Sequence, residues 1–486
     1  MCLACDIEVP TQGLINMTQE AWQQSATSLI NNFNNGKLTS EEAVESVLNR
    51  TAQVNPPVNA IVDAMGEEAR QKAKDADLAR KNGKALGPLH GVPITIKVNV
   101  DVAGHSTDNG VVGLKDVIAT QNSPVVDNLL KAGAIIIGRT NTPEFSFRLT
   151  TINELYGRTV NPWNKDLMPG GSSGGAGVAV AMGMGPIGHG NDIGGSLRVP
   201  AAFNGVATIR PSLGRVPAFN PSQPAERGML AQLASVQGVI TRNISDLRLA
   251  TQVCMQEDSR DPWWVPVPFN GPVIDGPIKV AFTKASYGYD IDPEIVKALD
   301  NTADILSNAG YDVEEVNPPS VKEISDFYMR LLMGEVKQLT QQAIDTLGSE
   351  QIKRVFELYY KIQDPFSPSE YMAAMAQRTA YTRAWNLFLD QYPLVLSPFI
   401  MKKNFPFDYD AHGLEQCRDL IDASCYSFAF NGLGLPCAVF PVALSEDGLP
   451  LSVQIIGKRF REDLCLDAAQ AIEKEVGTFT EKLWTK

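Results

Sequence analysis

With 486 residues, 44% of them hydrophobic and 20% charged, the chain has the composition of a globular protein able to bury a large core. Its formal net charge of −13 argues against nucleic-acid or anionic-membrane partners, which need a basic surface. No run approaches the roughly 18 uninterrupted apolar residues of a membrane span. Met1-Cys2-Leu3-Ala4-Cys5-Asp6 lacks the basic start and apolar core of a signal peptide, so the cytoplasm is the expected compartment.

From about Thr18 to Lys84 the chain reads as helical. Leu29, Ile30 and Phe33 fall at helical spacing, and Ser40-Glu41-Glu42-Ala43-Val44 has the form of a helix start. Val92, Ile94, Ile96, Val98 and Val100 then make a strand-like apolar run around Lys97. A lysine at the end of a buried strand loses hydration, which disfavours its charged form and moves it toward a usable base. Ser123-Pro124 pairs a capping residue with proline at the first turn of a helix, and Ala134-Ile135-Ile136-Ile137 reads as a short buried strand. Ala176–Ala181 is apolar and compatible with a helix. A proline-rich connector from Asp261-Pro262 to Pro277 leads to a strand at Ile278–Phe282, a helix at Pro293–Ala309 and a strand at Tyr311–Val316. Val321 to Ser427 is helical in pattern and rich in large side chains, among them Phe327, Tyr328, Met329, Leu331, Phe356, Tyr359, Tyr360 and Tyr371; most are expected to be core stripes. Strands alternating with helices predict a layered α/β fold with a largely parallel sheet, and there is no internal repeat.

Seven cysteines, at positions 2, 5, 254, 417, 425, 437 and 465, are odd in number and scattered, unlike a disulfide framework. Cys2 and Cys5 have metal-ligand spacing but no second pair nearby, and Cys437 reads as a small apolar core residue. None of His90, His105, His189 and His412 has a partner at metal-binding spacing, so neither metal nor another cofactor is expected.

Two glycine- and serine-rich segments, Gly170-Gly171-Ser172-Ser173-Gly174-Gly175 and Asp192-Ile193-Gly194-Gly195-Ser196-Leu197-Arg198, flank one run of small residues. Such density lets backbone N–H groups turn toward a reacting atom. Each segment also sets a serine hydroxyl among those donors. A lysine, two serines and backbone donors suffice for acyl transfer without histidine, and Gly-X-Ser-X-Gly is absent around Ser196.

These segments belong to an ordered series. Gly87-Pro88-Leu89-His90-Gly91-Val92-Pro93 leads into Lys97, and Gly138-Arg139-Thr140-Asn141-Thr142-Pro143-Glu144 follows. After the two serine segments come Gly205-Val206, Arg210–Val216, Gly434-Leu435-Pro436, Asp447–Pro450 and Gln454-Ile455-Ile456-Gly457. In this the chain resembles the amidase signature family of serine hydrolases, over nearly its whole length. The resemblance implies the family's α/β fold, a mixed, largely parallel twisted sheet covered by helices on both faces. It favours one domain over 1–486: a helical N-terminal region to about 84, a signature core over about 85–260 and a strand–helix unit over about 261–320. A variable helical region over about 321–427 and the C-terminal part of the core over about 428–486 complete it.

Residue by residue, the resemblance implies Ser196 as nucleophile, Ser172 as bridging serine at a cis peptide bond, and Lys97 as base. The N–H groups of Ile193, Gly194, Gly195 and Ser196 would form the oxyanion hole. Gly171 and Ser173 are expected beside the substrate, Ser173 acting by hydrogen bonding. Leu332-Met333-Gly334-Glu335 is expected in the acyl-pocket wall, the pocket being mainly apolar. Asp192 and Arg198 are expected to pair or to bond backbone and shape their loop. Two departures stand out: Val98 follows the lysine where many members carry an acid, and His189-Gly190-Asn191 precedes the aspartate in place of a small residue, Gly and Ser or Thr.

Three activities remain open at this point. The first is a stand-alone amidase cleaving a small-molecule carboxamide, with lactams, aryl amides or esters as variants. The second is the glutamine-hydrolysing subunit of a tRNA-dependent amidotransferase. The third is a catalytically silent binding homologue, against which the intact Lys97, Ser172 and Ser196 argue. A homodimer would suit the family.

Overall fold

Alternating strands and helices build one large sheet in the computed structural model, which describes residues 19–485. Thr18, Cys2 and Cys5 lie outside the described residues. The first half of the chain runs α1 (Ala26–Asn34), α2 (Ser40–Val58), β1 (Ile61–Ala64), α3 (Gly66–Lys81), β2 (Pro93–Lys97), α4 (Pro124–Lys131) and β3 (Ile135–Thr140). A small hairpin, β4 (Ile152–Asn153) and β5 (Gly157–Arg158), precedes α5 (Gly174–Ala181), β6 (Ile187–Asp192), α6 (Arg198–Asn204) and β7 (Ala207–Arg210). Then come α7 (Met229–Ala234), β8 (Val236–Thr241), α8 (Ile244–Cys254), β9 (Lys279–Phe282), α9 (Pro293–Asn308) and β10 (Asp312–Glu315). Four helices follow: α10 (Val321–Leu339), α11 (Gln341–Leu347), α12 (Glu350–Gln363) and α13 (Pro368–Gln391). The chain closes with β11 (Leu394–Pro398), α14 (Leu414–Ala423), α15 (Cys425–Leu433), β12 (Cys437–Leu444), β13 (Pro450–Gly457) and α16 (Glu462–Val476).

The main sheet has the strand order β1-β3-β2-β6-β8-β7-β12-β13-β11-β9-β10. It is mixed. Parallel pairing holds in two blocks, β3-β2-β6 and β11-β9-β10, and the strands between them, with edge strand β1, pair antiparallel. Helices cover both faces, and the two-residue period of β3 shows how. Ile136 packs with α4 and α8 on one face, while Ile135 and Ile137 pack with α2, α3 and α5 on the other. Among the described residues the cysteines are free and buried, Cys437 fully so.

Two strands depart from the helical readings. Ile61–Ala64, inside the expected N-terminal helical stretch, forms β1 along β3. Leu394–Pro398, inside the expected helical region, is β11, fully buried between β13 and β9. Two helix starts also differ in detail. The cap of α2 is Thr39, one residue before the expected start, in a reciprocal box with Glu42. Ser123 does precede α4, but its hydroxyl goes to Asn220 Oδ1 at 2.5 Å rather than to the helix.

Candidate active site

The parallel pairing of β2 with β3 and β6 carries Lys97, at the end of β2, to the end of the sheet where β6 delivers Asn191 and Asp192. Just beyond β6 runs the loop 193–197, and α5 begins directly after Ser172 and Ser173. Three segments distant in sequence therefore meet at one end of the sheet. The Gly171–Ser172 peptide is cis. The Ser173 N–H donates to the Ser196 carbonyl at 3.2 Å and ties the two serine loops together.

Lys97 is fully buried. Its Nζ lies 2.8 Å from Ser172 Oγ, 3.1 Å from Ser173 Oγ and 2.8 Å from Asn191 Oδ1. Burial pushes its pKa well below the usual lysine range, and the Asp192 carboxylate offsets part of that. The contacts suit an uncharged amine, which has two N–H donors and one lone pair. Asn191 Oδ1 can only accept, and Ser173 Oγ gives its own proton to the Asn191 carbonyl at 3.3 Å. Those two take the N–H groups, and the lone pair faces the Ser172 hydroxyl. The Asn191 amide is held in turn, its Nδ2 donating to Asn99 Oδ1 at 3.0 Å.

Asp192 is the anchor of the Ser196 loop. Its Oδ1 accepts the Gly195 N–H at 2.8 Å and its Oδ2 accepts the Leu197 N–H at 3.2 Å. Arg198 Nε meets Oδ2 at 3.0 Å, and the same guanidinium donates to Gln454 and Asn431. Burial alone would raise the pKa of Asp192, but Arg198 outweighs it and holds the carboxyl well below the usual range. The expected pairing of Asp192 with Arg198 and with backbone is what the loop displays.

Around the Ser196 loop the donor count is lower than the four expected. The Gly195 N–H is already engaged by Asp192, so it is not a free donor. Ile193, Gly194 and Ser196 remain. The Ile193 carbonyl accepts from Tyr328 Oη at 2.5 Å, and because a trans peptide sets N–H opposite to C=O, the Gly194 N–H points the other way. Gly194 lines a cavity with Ser196. At Gly195, with φ +111°, a Cβ would come 2.3 Å from Ser427 Oγ, which explains the glycine.

Two cavities share Ser146, Phe147, Ile193 and Leu332 in their walls. One, about 40 Å³ of space open to the centre of a water molecule, is lined by Ser196, Gly194, Leu149, Met329, Leu332, Met333, Tyr359, Leu420, Ile421 and Phe428. Leu332 and Met333 line this cavity, whereas Gly334 packs against Phe366 and Glu335 accepts from the Leu230 and Ala231 N–H groups, away from it. Its one cation, Arg148, is spent on Asp410 and Asp408. The second cavity, about 520 Å³ by the same measure, is lined by Ser172, Asn191, Asn99, Asn109, Gln237 and Arg227, among others. Gly171 and Ser173 line neither. A Cβ on Gly171 would meet the Thr150 carbonyl oxygen at 2.3 Å, and Ser173 is fully buried against Lys97 and Asn191.

His189 is buried against Gln237 Oε1 at 3.0 Å, and burial pushes its pKa down to about 3, so it stays neutral. The contact that sequence reasoning missed is Asn191 to Lys97. Its trace was the unusual His189-Gly190-Asn191 triplet, with an amide placed where a strand parallel to β2 ends. Among the described residues no group of His, Cys, Asp or Glu is arranged to hold a metal ion, and no helix is long and apolar enough to cross a membrane.

The family model for amidases matches residues 42–466. An indoleacetamide hydrolase of Bradyrhizobium diazoefficiens is 47% identical over 464 residues, covering 95% of this chain and 88% of that protein. A subunit of the glutamyl-tRNA(Gln) amidotransferase of Fusobacterium nucleatum is 28% identical, covering 94% and 97%. Among solved structures, a bacterial aryl acylamidase of the amidase signature enzymes family superposes with a TM-score of 0.81 at 27% identity, covering 95% of this chain and 97% of its own.

Proposed function

The chain belongs to the amidase signature family and is an amide-hydrolysing enzyme, and from that premise we propose that it works alone on small carboxamides with an apolar, aromatic acyl half. Ser196 Oγ attacks the amide carbon. Ser172 takes the proton of Ser196 and passes its own to uncharged Lys97. The oxyanion is met by the N–H groups of Ile193, Gly194 and Ser196. Run backwards, the relay delivers a proton through Ser172 to the leaving nitrogen, the C–N bond breaks, and water then releases the acid by the same route.

The observation that carries the reading is the buried Lys97 amine, 2.8 Å from Ser172 Oγ, on a loop tied to the Ser196 carbonyl. The acyl side follows from the smaller cavity, whose walls are aliphatic and aromatic and whose single guanidinium is neutralised. Met329 and Met333 are adaptable side chains that can yield to a ring. The 47% identity to an indoleacetamide hydrolase points to arylacetamides, and the 28% identity to part of an amidotransferase gives the glutamine reading less support. The test is ammonia or amine release by the purified chain, without partner subunits, from indoleacetamide, phenylacetamide, glutamine, a lactam and a malonamate. Turnover of the arylacetamides is expected. Acceptance of anionic acyl groups alone, or turnover only with a partner subunit, overturns the proposal.

Asn191 supplies a sharper check on the base. Asn191→Ala removes the acceptor that turns the Lys97 lone pair toward Ser172, and kcat is expected to fall about 10–100-fold with KM little changed. Asn191→Asp sets a carboxylate against the amine, which favours the ammonium form. The acid limb of its kcat/KM–pH profile therefore moves to higher pH than in the wild type. An unmoved limb would detach Lys97 from the titration.

A further inference from the structure

The larger cavity is built for more than the departure of ammonia. On the roles proposed above, the acyl half lies beside Ser196 and Gly194 in the apolar pocket, and the amine half lies beside Ser172, the group that protonates it. Ser172 opens onto the larger cavity, not onto the apolar one. Ammonia needs no chamber of about 520 Å³. Asn99, Asn109, Gln237 and Ser222 stand in its walls beside apolar residues such as Leu114, Val117 and Val336, and Glu335 lines it too.

One wall residue has an unmet requirement. Arg227 lines this cavity, and among the described residues its guanidinium has no hydrogen-bond partner and no carboxylate within ion-pair distance. The acids whose fields reach it are Asp261, Glu226 and Glu335. Two of these are occupied. Glu335 accepts from the Leu230 and Ala231 N–H groups at 2.8 and 2.9 Å and from Tyr371 Oη at 2.5 Å. Asp261 accepts from the Ala218 and Trp263 N–H groups at 2.7 and 2.9 Å. Arg227 is half-buried, whereas the buried arginines are satisfied within the protein, Arg148, Arg198 and Arg215 by carboxylates and Arg139, Arg210 and Arg242 by backbone carbonyls. A guanidinium without a protein partner, in the wall of a cavity of mixed amide and apolar lining, is the complement of a carboxylate.

We propose that the enzyme hydrolyses N-acyl amino acids, amides whose amine half carries a carboxylate that Arg227 receives. The inference rests on the assignment of Ser196 and Ser172 above. The bonds balance as for any amide. Ser196 Oγ bonds to the acyl carbon, the C–N bond breaks, and the proton relayed through Ser172 goes to the amino-acid nitrogen. Water then splits the acyl-enzyme, and the products are the aryl acid anion and the zwitterionic amino acid.

The test uses the full chain and three amides of one acyl group: phenylacetamide, N-phenylacetylglycine and N-propylphenylacetamide. The last two release primary amines of similar size, one with a carboxylate and one without. The wild type is expected to prefer the glycine conjugate by about 10–100-fold in kcat/KM, through KM. Arg227→Gln should bring that ratio close to one and Arg227→Lys should restore part of it, with thermal melting used to verify folding of both. A wild type that cleaves the propyl amide as well as the glycine conjugate overturns the inference, whatever the variants do. So does an Arg227→Gln ratio equal to that of the wild type. Loss of all three substrates, phenylacetamide included, counts instead against the arylacetamide reading.

Discussion

Ser196→Ala is expected to lower kcat by about 10⁴-fold or more, the scale seen when a nucleophile that acts as one unit with its base is removed. The fold should not register the change. Ser196 is bound through its backbone carbonyl, which alanine keeps, and the loop around it is held by Asp192 and Arg198 rather than by the hydroxyl. Amine release from a responsive amide and thermal melting, measured on the same preparation, separate the two effects. Retention of more than about one per cent of turnover with an unchanged melt would move the nucleophile elsewhere, and Ser172 would be the next residue to test.

Lys97 offers the second large effect, with a contrast between two replacements. Lys97→Met fills the same buried space without a base, and kcat should fall about 10³–10⁵-fold. The wild type should show an acid limb below the usual lysine range, because burial favours the neutral amine: lowering the pH protonates it and activity is lost, raising the pH restores it. In Lys97→Met that limb should disappear. Lys97→Arg keeps a cation that does not lose its proton, so it should be inactive across the whole range. Substantial turnover by the arginine variant would mean that the site uses positive charge rather than a base.

Much of the site is legible in the amino-acid sequence because its chemistry is local. Ser172, Ser173 and Ser196 sit in dense glycine segments, and Lys97 ends an alternating apolar run; a stretch of about ten residues shows each of these. What the sequence hides is long-range. Asn191 reaches Lys97 across 94 residues, and Arg148 reaches Asp410 across 262, with nothing local to mark either pair. The count of free donors differs for a related reason: whether the Gly195 N–H is available depends on where the Asp192 carboxylate turns. Gly171 and Ser173 are expected beside substrate because they neighbour Ser172, whereas tight packing on Thr150 and Lys97 sends them inward.

The fold shows the same division. Strands and helices with long apolar patterns, such as Ile135–Thr140 and Pro293–Asn308, are legible from pattern alone. β1 is four residues long and lies between two helices, too short for a two-residue period to stand out. β11 does carry a signal, Leu394-Val395-Leu396 flanked by Pro393 and Pro398, but the helices on either side mask it. The parallel arrangement suggested by alternation is realised only where a helix crosses between neighbours; the centre of the sheet is joined antiparallel.

The position of β11 also sets the order in which the protein can be completed as it leaves the ribosome. β9 and β10 are synthesised by residue 315, but they join the rest of the sheet only through β11, which is itself gripped by β13 at 450–457. The strands β1, β3, β2, β6, β8 and β7, by contrast, can close by residue 241, and they bring Lys97, Ser172 and Ser196 with them. The groups proposed to react are thus assembled early, and α10, α14 and α15, which wall the smaller cavity beside Ser196, arrive late. Until β12 emerges, β7 presents an open edge, the kind of surface on which nascent chains pair with one another. Chains shortened before β12 should therefore accumulate in aggregates even though Lys97, Ser172 and Ser196 are all present.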